Sequence, residues 1–355
     1  MARTTTSGAS SRSHEFAEVQ LRCDDLDPTV AFFERLGFRI ETIFPADNPR
    51  VASLSGHGLR LRLAPQGDPG WIRMVGACEP LVAPNGTRIE FVDPNPPMTV
   101  PGLAPQFVVT RQAQGVMGAG RAGMLYRDLI PGRLGGRFIA SHISIPTGGP
   151  VADWVHFHKI RFQLIYCRRG WARLVYEDQG PEFVFRAGDC VVQPPLIRHR
   201  VLESSDGFEV VEISCPASHE TLADHEMTLP SAGFDPDRDF GGQRFLHHVA
   251  AATAWTLDPA TGFERRSTGV ARATAGLADA GVIRPAGASG FSAASDGAEL
   301  YFGFLLEGTM TLNFAGEHRL GSADAFVIPP GETWSLSEAS TDLELLEVVL
   351  PGGPG

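Results

Sequence analysis

Two stretches of this sequence repeat each other, and the repeat limits the fold more than any other feature. "RRGWARLVY…RAGDCVVQPPLIRH" has its counterpart in "LEGTMTLNF…LGSADAFVIPPGETW". Gly170 aligns with Gly308, Asp189 with Asp324, Pro194-Pro195 with Pro329-Pro330, and His199 with Trp334. Both copies are chains of short candidate strands separated by turn residues. In the first copy these read RFIASHISIP, FQLIYCR, WARLVYE, EFVFR, CVVQP, HRVLE and FEVVEIS. Short strands at such spacing signal a sandwich or a barrel. Two such series in tandem imply two similar β-barrels packed together, over residues 136–225 and 266–352. Connectors are expected at 96–135, rich in Pro, Gly and Arg, and at 226–265. A short helix is expected over HETLADHEM.

Composition narrows the function classes. The formal charge of −11 argues against a nucleic-acid surface, which needs clustered positive charge. No apolar run approaches membrane-spanning length, so no membrane partner is expected. Residues 1–14 read as a disordered tail without the apolar core of a signal peptide, which makes the cytoplasm the expected compartment. Cys23, Cys78, Cys167, Cys190 and Cys215 form no C-x-x-C pair and suit reduced thiols better than disulfides or a zinc ribbon.

The segment ahead of the repeats has a different pattern. FAEVQLRCD reads as a strand, and Asp27-Pro28 then opens a helix that Gly37 stops. FRIETIF, RVASLSG and LRLRLAP follow as strands, and TRIEFVDP closes the unit. On "DLDPTVAFFERLGFRI" and "RIEFVDP", residues 15–95 resemble one βαβββ module of the vicinal-oxygen-chelate, or glyoxalase-like, family. That resemblance places Glu18 and Glu90 roughly where the family's metal ligands lie. Two hard carboxylates without an imidazole bind most transition metals weakly. Such modules usually come in pairs, so a homodimer is the expected assembly.

The chemistry concentrates in the first repeat. His156 and His158 are two apart, so on a strand both imidazoles share one face. Gln163 follows His158 at an odd offset, so the chain must turn or bulge before Gln163 projects inward from the neighbouring strand. His199 arrives after the Pro194-Pro195 corner. Three neutral imidazoles and an amide oxygen make a credible cage for one divalent transition metal, Fe(II), Mn(II), Ni(II) or Zn(II). One or two coordination positions then stay open for substrate, water or dioxygen.

These residues resemble the cupin superfamily. Its first motif is matched by Gly149, His156-Phe-His158, Gln163 and Gly170, with one extra residue after the first glycine. Its second is matched by Gly188-Asp189, Pro194 and His199, with Leu196 where glycine is usual. The resemblance implies that His156, His158, Gln163 and His199 are the metal ligands. Gln163 replaces the commoner glutamate, which removes a negative charge and leaves no carboxylate among the ligands. The second repeat offers Ala294, Asp296, Tyr301 and Trp334 at these positions and is expected to hold no metal. The implied architecture is mainly β: two tandem cupin (jelly-roll) barrels, the first metal-binding and the second degenerate, preceded by the glyoxalase-like module.

Other candidates carry less. His142 is placed to hydrogen-bond a ligand imidazole, or to be an ordinary core histidine. Arg161 and Arg198 flank the ligands and could clamp a substrate carboxylate, but next-neighbour parity points both away from the metal. Tyr126 and Arg127 lie in the segment expected to cover the first barrel, where packing is the plainer role. The adjacent pair His247-His248 would point two ways on regular structure. The leading functional expectation is a dioxygenase with Fe(II) acting on a small anionic or aromatic molecule. A non-redox lyase, isomerase or cyclase is the alternative, and a small-molecule-binding protein without turnover is the third.

Overall fold

The computed structural model describes residues 18–45, 49–93, 95–120 and 123–351. The tail expected over 1–14 lies outside the described residues. The chain divides into two units, one up to Pro97 and one from Met98.

In the first unit the strand Val19–Arg22 leads into the helix Leu26–Arg35, and Arg39–Phe44, Val51–Gly56 and Leu59–Ala64 follow. Asp25, not Asp27, caps the helix, and Asp27 falls in its first turn. The stop is at Gly37, as its left-handed φ of 89° requires. The Phe38 amide donates to Phe33 and the Gly37 amide to Glu34, and the Phe33 and Phe38 rings meet edge-on at 5.5 Å. Together these complete a Schellman cap. Leu26, Val30 and Phe33 bury against Leu21, Leu54, Leu61 and Leu63. The sheet runs Val19–Arg22, Leu59–Ala64, Val51–Gly56, Arg39–Phe44, with the first pair parallel.

The expected closing strand, Arg88–Val92, does not join that sheet. It pairs in parallel with Trp71–Val75, a strand hidden in the looser stretch, and with Leu81–Val82. Glu18 precedes a strand of one sheet and Glu90 lies in the other, where it ion-pairs with Arg73 at 3.1 Å.

The second unit holds two seven-stranded sheets of matching strand order. One seven-stranded sheet runs Leu246–His248, Cys190–Val192, Phe162–Arg169, Phe208–Cys215, Ile139–Ile145, Leu125–Asp128, Gly118–Ala119. Its counterpart runs Val108–Thr110, Ala325–Ile328, Ala298–Glu307, Glu344–Pro351, Asp279–Pro285, Phe263–Ser267, Thr256–Asp258. Each packs against a smaller sheet. In the first repeat this runs Phe183–Arg186, Trp171–Tyr176, His199–Ser204, His156–His158, Thr221–Ala223; in the second, Glu317–Gly321, Thr309–Asn313, Thr333–Ser337, Phe291–Ala294.

Both segments expected as connectors carry strands. Val108–Thr110, which precedes the first repeat, pairs with Ala325–Ile328 of the second. Leu246–His248, which follows the first repeat, pairs with Cys190–Val192 of the first. The short helix expected over HETLADHEM is instead the strand Thr221–Ala223, because the edge of His156–His158 offers it a ladder partner. Tertiary pairing outweighs local propensity there.

Strand alternation sorts the side chains. Phe162, Leu164 and Tyr166 join Phe302, Phe304, Leu346 and Val348 in a core between the two seven-stranded sheets. Gln163 and Ile165 point the other way, into the first sandwich. Among the described residues no helix is long and apolar enough to cross a membrane.

Candidate metal centre

His156, His158 and His199 are brought together by strand register. His156 sits directly opposite His199 across an antiparallel pair. The ring centroids of His156 and His199 are 4.2 Å apart, and each lies 5.2 Å from that of His158. One nitrogen from each ring falls within 4.8 Å of the others, and all three residues are buried. Among the described residues this is the sole grouping of three or more His, Cys, Asp or Glu side chains so close.

Hydrogen bonds orient each ring. His156 Nδ1 donates to the Trp154 carbonyl at 2.8 Å, and His199 Nδ1 to the Ile197 carbonyl at 3.0 Å. A carbonyl only accepts, so these two rings carry their proton on Nδ1 and the lone pair on Nε2. His158 Nδ1 pairs with Thr221 Oγ1 at 3.0 Å. Partners of this kind fix tautomer and ring angle at metal sites. The corner that delivers His199 is tied down by the Leu196 amide, which donates to the His158 carbonyl at 3.0 Å.

Gln163 enters from the facing seven-stranded sheet, not from a neighbouring strand. The chain leaves the smaller sheet after His158 and crosses over before Phe162, and this crossing absorbs the odd offset. Gln163 is 2 % exposed, and its Nε2 donates to Glu212 Oε1 at 3.2 Å. Its Oε1 is buried with no hydrogen-bond partner among the described residues. A buried carbonyl oxygen without a partner costs about 1–3 kcal/mol. Coordination to a cation would remove that cost, so the donor set fits a divalent metal on physical grounds.

The cluster opens into a cavity of about 340 Å³ lined by the three histidines, Gln163, Tyr126 and a set of apolar side chains. Of the lesser candidates, Tyr126 alone lines it. His142 lies on the opposite face of its strand, so the expectation that it supports a ligand imidazole is corrected. It accepts from Arg127 Nη2 at 3.2 Å and pairs with Glu209 at 2.9 Å. Hydrogen bonds from His142 and Arg168 hold the Glu209 carboxyl down at about 2. Arg161 is committed to Glu299 of the second repeat, and Arg198 to Asp224 at 3.1 Å and to the Phe157 ring at 4.0 Å. Neither reaches the cavity lining, so neither is placed to hold a substrate carboxylate there.

Several lining residues escaped the sequence reading. Glu212 puts a carboxylate at the cavity wall although none stands among the ligands. His219 packs 5.4 Å from the His158 ring. Tyr176 stacks on His199, accepts from Gln193 Nε2 at 2.9 Å, and is kept neutral by burial, which pushes its phenol well above the ordinary range. His219 and Thr221 were legible as residues but were hidden inside the expected helix. Glu212 lies on a plain apolar strand with no motif to mark it.

The second repeat is filled at the equivalent place. Trp334 and Tyr301 are buried where His199 and Gln163 stand in the first repeat. Tyr301 donates to Glu347, which Arg265 also holds at 2.6 Å, while Ala294 and Asp296 are exposed. His247 stacks on Phe183 at 4.1 Å, and His248 is buried in the same strand, so this pair does point two ways.

No family model matches this sequence, and no curated protein matches it. Solved structures do match in fold. Protein Ylba from E. coli aligns with a TM-score of 0.52 at 9 % identity, over 71 % of this chain and 93 % of its own. Oxalate decarboxylase of Bacillus subtilis, described with Mn(II) centres, aligns at 0.50 and 12 % identity, over 73 % of this chain and 79 % of its own. The Lactobacillus farciminis oxalate decarboxylase formate complex aligns at 0.50 and 14 % identity, over 72 % and 88 %. At such low identity these likenesses show the fold alone, a mainly β architecture.

Proposed function

We propose that this chain is a mononuclear, divalent-metal-dependent bicupin enzyme: two tandem cupin barrels, the first holding the metal and the second closed. His156, His158, His199 and Gln163 are its ligands. The observation that carries this reading is the buried, partnerless Gln163 Oε1 in the cavity wall shared with three convergent imidazoles. Favoured among reactions is a dioxygenase with Fe(II) acting on a small organic molecule. Held by these four side chains, the ion would supply a Lewis-acidic, redox-capable cationic centre for an anionic oxygen donor and dioxygen.

The chain's own residues do the rest. Trp154, Ile197 and Thr221 hold the imidazoles in one orientation. Glu212 holds the amide of Gln163 so that its carbonyl remains available. Glu212 is also the one carboxylate among the residues lining the cavity, and so a candidate to accept a substrate proton. Burial of the whole cluster excludes bulk water, which strengthens every electrostatic contact inside it.

Glu212 also supports the second reading, a lyase, isomerase or cyclase, since proton transfer beside a Lewis acid needs no dioxygen. The fold likeness to oxalate decarboxylases points the same way. A protein that binds without turnover is the third reading. For the first unit, we read the parallel pairing of Val19–Arg22 with Leu59–Ala64 as support for a glyoxalase-like module. The exposed strand Arg39–Phe44, with Ile40, Ile43 and Phe44 uncovered, supports its pairing in a homodimer. Metal analysis of purified protein, followed by turnover assays with and without oxygen, separates the three. Iron with oxygen consumption supports the dioxygenase; manganese, nickel or zinc with anaerobic turnover supports the lyase. A ligand released unchanged supports the third.

A further inference from the structure

The two sandwiches share one topology but differ in what fills them. Cys167, Ala172, Val191 and Val210 pack in the first. By the alignment of Gly170 with Gly308 and Asp189 with Asp324, the same strand positions in the second hold Leu305, Met310, Phe326 and Leu345. Strand pairing agrees: Val210 faces Ile143, and Leu345 faces Ile283. At every one of these places the first repeat carries the smaller side chain. Val210 lines the cavity of about 340 Å³ beside the histidines, and Val191 lies across the ladder from the lining residue Ile165.

Its walls are apolar. Met124, Ile143, Leu174, Phe208 and Val210 line it and keep 6 or 7 % exposure, whereas Leu312 and Leu345, at the second-repeat counterparts of Leu174 and Val210, have 0 %. Most polar lining groups adjoin the ligands: Gln163 bonds Glu212, Thr221 and His219 meet His158, and Tyr176, bonded by Gln193, stacks on His199, while Ser141 sits opposite Glu212 in the sheet. Arg200 is the one arginine in the lining, and the lining contains no lysine. A chamber with one polar end and an apolar body matches a ligand of the same shape.

We infer that this site takes a largely apolar molecule carrying a single oxygen-donor head, which meets the ligand cluster while its hydrocarbon body fills the chamber. The substrate class rests on the metal-enzyme reading for the head, and on the shape of the chamber alone for the body. A two-carbon dianion such as oxalate has no apolar surface to bury and would leave most of the volume unused.

The test is calorimetric titration of the metal-loaded full chain with straight-chain carboxylates from acetate to octanoate, with oxalate beside them. Affinity is expected to rise about fourfold per added methylene until the chamber is full. Oxalate is expected to bind more weakly than hexanoate. A flat series, or oxalate as the tightest ligand, would overturn the inference. Val210→Leu, at a lining position, and Val191→Phe, opposite the lining residue Ile165, copy the bulk of the second repeat and are expected to end the rise at a shorter chain. Should either fail to fold, the wild-type series still decides. The same titrations on His158→Ala separate the two claims. A chain-length gradient without any metal dependence sinks the metal reading and keeps the apolar body, whereas a metal-loaded site with no gradient does the reverse.

Discussion

At the scale of single residues, the site depends on matching donors to acceptors. His158 and His199 each lose a lone-pair donor on truncation, so His158→Ala or His199→Ala is expected to abolish metal retention. The fold should persist, because the core between the two seven-stranded sheets contains neither residue. Trp334→Ala, at the His199 position of the other repeat, should cost about 3–5 kcal/mol through a cavity and leave metal content unchanged. Elemental analysis beside denaturant unfolding checks both, and metal loss in Trp334→Ala would mean the second repeat had been misread. Glu209 gives a pH signature. Its folded carboxyl sits at about 2, below the ordinary 4.5, chiefly because His142 hydrogen-bonds it. A depressed carboxyl contributes stability above its unfolded value and loses it as pH falls toward the folded one. Unfolding free energy should therefore drop between about pH 4.5 and 2, and Glu209→Gln should flatten that slope. An unchanged slope in the variant would show that the His142 and Arg168 contacts carry no such linkage.

At the scale of elements, the motif corner and the strand Thr221–Ala223 govern how the ligands are held. Leu196 stands where the motif resemblance calls for glycine, and its φ of 66° is left-handed. That conformation costs a branched residue about 1–2 kcal/mol, and Leu196 is 43 % exposed, so little burial offsets the strain. Leu196→Gly is expected to leave stability unchanged or raise it by up to about 1 kcal/mol in thermal unfolding. A loss beyond that would show that the side chain packs in solution. Thr221→Val removes the partner of His158 Nδ1 and should weaken metal affinity about 10-fold in a chelator competition. Unchanged affinity would leave Thr221 without an orienting role. The histidine strand was legible because parity alone puts His156 and His158 on one face. Thr221–Ala223 was not, since its strand character comes from the edge of His156–His158, far earlier in the chain, and not from its own charged, helix-compatible sequence. Trp71–Val75 was hidden for the same reason, as its parallel partner Arg88–Val92 lies beyond an irregular stretch.

At the scale of the whole chain, the repeat told most of the second unit's story, because aligned glycines, aspartates and prolines mark the same turns twice. What it could not reveal was the addition of edge strands, in which Val108–Thr110 completes a sheet of the second repeat and Leu246–His248 one of the first. Pairing across so long a separation leaves no local pattern. The pairing of Val108–Thr110 with the second repeat and the shared apolar core couple the two repeats, and Glu299 of the second adds to this by binding Arg137 and Arg161. Glu299→Leu leaves two half-buried guanidinium groups facing each other and should cost about 3–5 kcal/mol. Monitored by denaturant unfolding of the full chain, it should shift both repeats together, and separate shifts would show that they fold independently. The central claim is that four side chains from two facing sheets enclose one cation. It is tested most directly by anomalous diffraction from crystals of metal-loaded protein. The account expects one peak per chain, bounded by the Nε2 atoms of His156, His158 and His199 and by Gln163 Oε1. Imidazoles turned apart, or a peak located elsewhere, would contradict it.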